Sequence, residues 1–117
     1  GVLSRLTADH TWVQAMVDEG RMSPTEADAH PQRALLIRAL TSGGGARPDL
    51  SVHDVVPGDR YLLCSDGLTT TASNAAIAAA LTEGGSPDES VDRLIALAYD
   101  AGAPDNVACV VADVAAP

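Results

Sequence analysis

Gly58-Asp59-Arg60-Tyr61-Leu62-Leu63-Cys64-Ser65-Asp66-Gly67-Leu68 is the stretch on which the fold turns. Pro57-Gly58-Asp59 reads as a turn, because proline and glycine each supply backbone geometry that regular structure avoids. The run up to Cys64 is apolar at consecutive positions rather than alternate ones, which predicts a short strand covered on both faces. Ser65-Asp66-Gly67 ends that strand. Asp66 therefore stands where a sheet holds the backbone while the carboxylate faces open space.

Downstream, Ser73 is placed to cap a helix running to about Leu81, with Ile77 and Leu81 on one face. Ser86-Pro87-Asp88-Glu89 combines a capping box with a proline suited to the first helical position. It opens a helix whose apolar stripe is Val91, Leu94, Ile95 and Ala98. Each such cap contributes about 1 kcal/mol. Gly102-Ala103-Pro104 closes this helix, and Val107 to Val114 predicts a final strand, again apolar on both faces.

Upstream, Gly1 to Leu6 reads as the outgoing arm of a hairpin, and Thr11 to Glu19 as a helix. Trp12, Val13, Met16 and Val17 fall there at helical spacing, and Gly20 ends it. Ser23-Pro24-Thr25-Glu26 starts a second, short helix that stops at His30, because Pro31 disfavours helical geometry in the residue before it. Arg33 to Leu40 fits helix or strand equally. Ser42-Gly43-Gly44-Gly45 and Arg47-Pro48-Asp49 read as loop. The mixed order of elements points to one layered α/β (α+β) domain.

With 117 residues the chain can build one small core, and it is aliphatic: there is no Phe, one Trp and two Tyr. Seven basic residues against sixteen acidic ones give a net charge of −9. That balance excludes the cationic footprint a nucleic-acid partner needs, and disfavours an anionic membrane surface. No apolar stretch approaches the roughly 20 residues of a membrane span. No basic segment leads into an apolar run, so the expected location is the cytoplasm, including that of a cytoplasmic domain in a longer or membrane-anchored protein. Cys64 and Cys109 lie inside separate apolar runs, and both read as buried reduced thiols.

Three aspartates are candidates for chemistry. Asp66 and Asp105 sit where strands meet turns, flanked by Gly67 and by Pro104 and Asn106, and Asp9 follows Thr7. Oxygen ligands at strand ends suit a hard cation such as Mg²⁺ or Mn²⁺. The same residues also suit ordinary turns, in which Asp accepts from nearby backbone amides, and Asp9 suits a helix N-cap. Spacing leaves both readings open.

Longer strings narrow the choice. Leu6-Thr7-Ala8-Asp9-His10, then Gly20, Glu26-Ala27 and His30-Pro31-Gln32-Arg33, resemble the central region of bacterial type 2C protein phosphatases, the metal-dependent PPM family. Gly58 to Leu68 resembles the family's Ser-Asp-Gly-Leu strand and turn. Gly102-Ala103-Pro104-Asp105-Asn106-Val107 resembles its Asp-Asn motif. Two departures stand out: Thr69-Thr70-Thr71 where the family usually has Thr-Asp, and Ala108 where it usually has Thr.

The resemblance implies a four-layer αββα sandwich of antiparallel sheets, of which residues 1–117 are the C-terminal half and about 22–40 a mobile flap beside the active site. It implies removal of phosphate from phosphoserine and phosphothreonine in phosphoprotein substrates by a metal-activated water, with two or three Mn²⁺ or Mg²⁺ ions in the complete domain. Asp66 and Asp105 match ligands of the second metal, while Asp66 and Asp9 match positions at a third. His30 and Arg33 match flap positions, where we expect caps or packing contacts. Neither cysteine is expected to act as a nucleophile. The family's phosphate-gripping Arg motif and its Asp-Gly-x-Gly-Gly motif are not in these residues, so no catalytic acid or phosphate-binding Arg is assigned. The chain alone is expected to bind metal weakly, to turn over little substrate, and to associate with itself or with the missing N-terminal half. The competing expectation is a phosphatase-like regulatory module that lost catalysis and works through protein contacts.

Overall fold

The computed structural model describes residues 2–33, 35–37, 47–102 and 106–117. It divides into two compact units, Ser4–Val52 and His53–Pro117, the latter joined by the start of the chain.

In Ser4–Val52, α1 spans Trp12–Asp18 and α2 spans Pro24–Ala29. Thr11, not Asp9, caps α1: its hydroxyl accepts from the Gln14 N–H at 3.2 Å. The N-cap reading of Asp9 is thereby corrected. The capping box at α2 forms as expected. Ser23 Oγ accepts from Glu26 N–H at 3.1 Å, and Glu26 Oε1 accepts from Ser23 N–H at 3.4 Å. Val13 and Ala27 are its buried apolar residues. The ambiguity after Arg33 resolves toward extended backbone at residues 35–37. There Trp12 N–H donates to Leu35 O (2.8 Å) and Ile37 N–H to His10 O (2.9 Å), around the bridge Thr11–Leu36. Residues 34 and 38–40 lie outside the described set. Residues 2–6 form no strand: among the described residues no strand pairs with them, and an isolated strand leaves its amides and carbonyls unsatisfied.

The second unit holds β1 (Arg60–Cys64), α3 (Asp66–Thr69), α4 (Asn74–Thr82), α5 (Pro87–Asp100) and β2 (Cys109–Asp113). β1 and β2 pair antiparallel, with Leu62 opposite Val111, Leu63 opposite Val110 and Cys64 opposite Cys109. Ser73 and Ser86 cap α4 and α5, each accepting from the amide three residues on. Leu68, Ile77, Ala80, Leu81, Leu94 and Ala98 form the core, and Leu62, Cys109 and Val111 pack against it from the sheet.

Among the described residues of this unit, the sheet is covered on one face. Leu63 is 64% exposed and its cross-strand partner Val110 60%, whereas both strands were expected to be covered on both faces. The unit's described helices, α3, α4 and α5, lie on the face that carries Leu62 and Val111, which gives one helical layer against one sheet. The final strand is also shorter than 107–114, spanning Cys109–Asp113. Cys64, expected in the core, is exposed, since it is the last residue of β1 and contributes nothing to the cluster beneath the sheet.

Sheet and helices are tied together by an arginine that the hydrophobic pattern does not reveal. Arg60 makes a two-pronged pair with Asp113 across the strands, Nε to Oδ1 at 2.6 Å and Nη2 to Oδ2 at 2.7 Å. Nη1 also donates to Ser90 Oγ (2.5 Å) and Leu81 O (3.1 Å), and Nη2 to Gly85 O (2.9 Å). Ser90 is fully buried, and Arg93 reaches the same hydroxyl at 3.1 Å. The α5 stripe therefore centres on Ser90, Leu94 and Ala98, a polar residue at its head satisfied by two guanidinium groups.

A carboxylate corner between the two strand ends

Asp66 stands where β1 hands over to α3. Ser65 is the residue before that helix, yet its hydroxyl does not cap it. It faces the other strand: Ser65 Oγ accepts from Ala108 N–H at 3.0 Å and donates to Asn106 O at 3.4 Å, while Ser65 N–H donates to Ala108 O at 2.8 Å. Both backbone partners lie just before β2. The Ser-Asp-Gly turn and the residues after Asp105 are thus knitted together by side chain and backbone.

Gly67 makes that closeness possible. It is buried, and a Cβ there would overlap the carbonyl oxygen of Asn106 while standing 3.0 Å from its carbonyl carbon and 3.2 Å from Val107 Cγ2. Only a residue without a side chain lets the two segments touch. The three threonines that replace the family's Thr-Asp have a local use. Thr70 Oγ1 donates to Asp66 O at 2.7 Å, a carbonyl that also accepts the Thr70 N–H at 2.9 Å, and Thr71 Oγ1 donates to Gly67 O at 2.8 Å.

The Asp66 carboxylate is exposed and has no hydrogen bond or ion pair among the described residues. Asp105 lies outside the described residues. Asp9 belongs to the other unit, where its carboxylate pairs with Arg5 Nη2 at 2.6 Å, both side chains being more than half exposed. Of the three predicted carboxylates, the structure therefore shows one poised at a corner and one engaged by an arginine. Among the described residues no group of three or more His, Cys, Asp or Glu is arranged to hold a metal ion.

His30 and Arg33 make local structural contacts. The His30 ring packs against Trp12 with centroids 5.2 Å apart, and His30 Nδ1 accepts from Gln32 N–H at 3.0 Å. Arg33 N–H donates to His30 O at 3.1 Å. His10 Nε2 lies 2.9 Å from Asp49 Oδ2, a contact across 39 positions that no local signal announces.

Comparison with known proteins is decisive for the family. The chain is 52% identical over 116 residues to the serine/threonine protein phosphatase PstP of Mycobacterium tuberculosis, covering 97% of this chain and 22% of that protein. A crystal structure of the M. tuberculosis phosphatase PstP/Ppp superposes with a TM-score of 0.90 at 50% identity, over 97% of this chain and 47% of that one. Over 97% of its length the chain matches protein phosphatases of the type 2C (PPM) family. No family model matches it. A PstP catalytic domain crystallised with two manganese ions matches at a TM-score of 0.82 and 47% identity, over 95% of this chain and 45% of that one. The phosphatases of this family are hydrolases, and their domains are α/β, as the layered helices and sheet here are. The chain spans less than half the length of the relatives it matches.

Proposed function

We propose that the chain is the C-terminal half of a type 2C phosphatase domain and serves, within the complete domain, the metal-dependent hydrolysis of phosphoserine and phosphothreonine in proteins. The observation that carries this reading is the corner itself. Asp66 has an exposed carboxylate with no described partner, and Gly67 and Ser65 clamp the Asn106 backbone beside it. The residues present fit a hard cation. An unpaired carboxylate oxygen on a braced turn is the donor Mn²⁺ and Mg²⁺ prefer, and the PstP catalytic domain holds two manganese ions.

In this reading Asp66 and Asp105 hold one cation of a pair, and Asp9 contributes to a weaker third position. Any cation that Asp9 binds competes with Arg5 for the carboxylate, which favours weak binding there. Paired divalent cations, when bound, neutralise phosphoryl charge and activate a water for attack. The chain's own contribution is to hold carboxylate oxygens still: Ser65 fixes the turn to the opposite strand, and Thr70 and Thr71 brace the backbone behind it. The flap reading of residues 22–40 goes with this proposal, as do phosphoprotein substrates, the absence of a nucleic-acid role, and a cytoplasmic location. No described helix is long and apolar enough to cross a membrane. The uncovered sheet face around Leu63 and Val110 supports association with the rest of the domain, or with a second copy when that is lacking.

The test is Mn²⁺ binding followed by electron paramagnetic resonance on the complete polypeptide, with Asp66→Asn beside the wild type. Loss of one bound equivalent with an unchanged melting temperature is expected. Unchanged stoichiometry and affinity would remove Asp66 from the metal site.

A further inference from the structure

The two cysteines that the sequence places in separate apolar runs face each other in the sheet. Cys64 closes β1 and Cys109 opens β2, and they are direct cross-strand partners. The type of pairing follows from the hydrogen bonds on either side. Ser65 N–H donates to Ala108 O, and at the other end Val114 N–H donates to Asp59 O, so Ser65–Ala108 and Asp59–Val114 are hydrogen-bonded positions. Alternation along an antiparallel ladder then makes Cys64–Cys109 a non-hydrogen-bonded pair, the class with Cα atoms only about 4.5 Å apart and side chains closest. A disulfide needs Cα atoms roughly 4.4–6.8 Å apart, so the backbone need not move far to accept one. Both residues are reduced thiols here, Cys64 exposed and Cys109 half-buried against the core.

We propose that Cys64 and Cys109 form a reversible disulfide, a peroxide-responsive modification site across the end of the sheet. The exposed Cys64 sulfur attacks a hydroperoxide. Its S–O bond forms as the O–O bond breaks, the peroxide is reduced by two electrons, and the departing oxygen takes up the Cys64 proton and leaves as water or an alcohol. The resulting Cys64 sulfenic acid is then attacked by the Cys109 sulfur: the S–S bond forms, the S–O bond breaks, and the hydroxide departs with the Cys109 proton as water. Burial pushes the Cys109 thiol pKa up, which suits it to the second role rather than the first. A bond with one exposed sulfur is the kind that thiol reductants reverse. It closes directly beside the Ser65–Ala108 pair, and it does not depend on the metal reading above.

The experiment exposes the complete polypeptide to hydrogen peroxide, blocks remaining thiols with iodoacetamide, and maps the digested peptides by mass spectrometry. A joined peptide carrying Cys64 and Cys109, lighter by two hydrogens and separated again by dithiothreitol, is expected to replace most of the two alkylated peptides. Cys109→Ser should lose the joined species and carry Cys64 on to sulfinic acid. Wild-type protein in which both cysteines are still alkylated after peroxide would overturn the proposal. So would added oxygen without a joined peptide, or a cross-link mainly between separate molecules on a non-reducing gel; none of these readouts requires the variant to fold.

Discussion

Replacing Gly67 by alanine adds one methyl group at the point where two chain segments touch. The new Cβ would overlap the carbonyl oxygen of Asn106 and press on its carbonyl carbon at 3.0 Å and on Val107 Cγ2 at 3.2 Å. Backbone, unlike the tip of a long side chain, cannot swing away, so the segment at 106–108 must retreat from Ser65. Overpacking of this kind costs about 1–3 kcal/mol. The retreat also stretches the bonds of Ser65 to Ala108, now 2.8 and 3.0 Å, each worth about 1 kcal/mol. With both bonds lost the sum is about 3–5 kcal/mol, which for a complete domain about twice this length lowers the melting temperature by roughly 6–20 °C. Urea unfolding followed by circular dichroism, with wild type and Gly67→Ala of the complete polypeptide in parallel, measures it. If the corner also carries metal, Mn²⁺ affinity falls with it. A variant within about 0.5 kcal/mol of wild type would refute the claim that glycine is required there.

Leu94→Ala empties a fully buried position at the centre of the core and should cost about 2–5 kcal/mol in the same denaturation assay. Asp113, whose carboxyl the Arg60 hydrogen bonds hold below the usual carboxylate range, makes stability depend on acid. The group is depressed in the folded state, so its contribution is present above the unfolded carboxylate pKa and lost as pH falls through the lower, folded value. Urea midpoints measured from neutral to strongly acidic pH should drop less steeply in Asp113→Asn than in wild type. The 117-residue chain alone should show no para-nitrophenyl phosphate turnover with Mn²⁺ and should associate in light scattering. Turnover near that of a complete relative, or a compact monomer, would contradict both expectations.

What could be read from the residues in order was what neighbours decide. The boxes at Ser23 and Ser86 close over three residues, and both formed as read. β1 was legible from five residues, and the family from several strings of up to eleven. The Thr11 cap, one position from where Trp12 begins the helix, was missed because Asp9 competed for the same role. Everything set by pairing across long stretches was illegible. Ser90 gives no local hint that Arg60, thirty positions earlier, will satisfy it in the core. The strands looked covered on both faces because composition reports apolarity but not which elements arrive to cover it. Cys64 and Cys109 were apolar-run residues until the register made them partners. Asp66 was named from its motif, but its setting, a turn braced against Asn106 through a glycine with no room for a methyl group, exists only once the chain between them has folded. Hydrogen bonds that close within one helical turn are encoded by adjacent side chains. The register of two distant strands is a compromise among all the side chains packed between them, and only the folded core settles it.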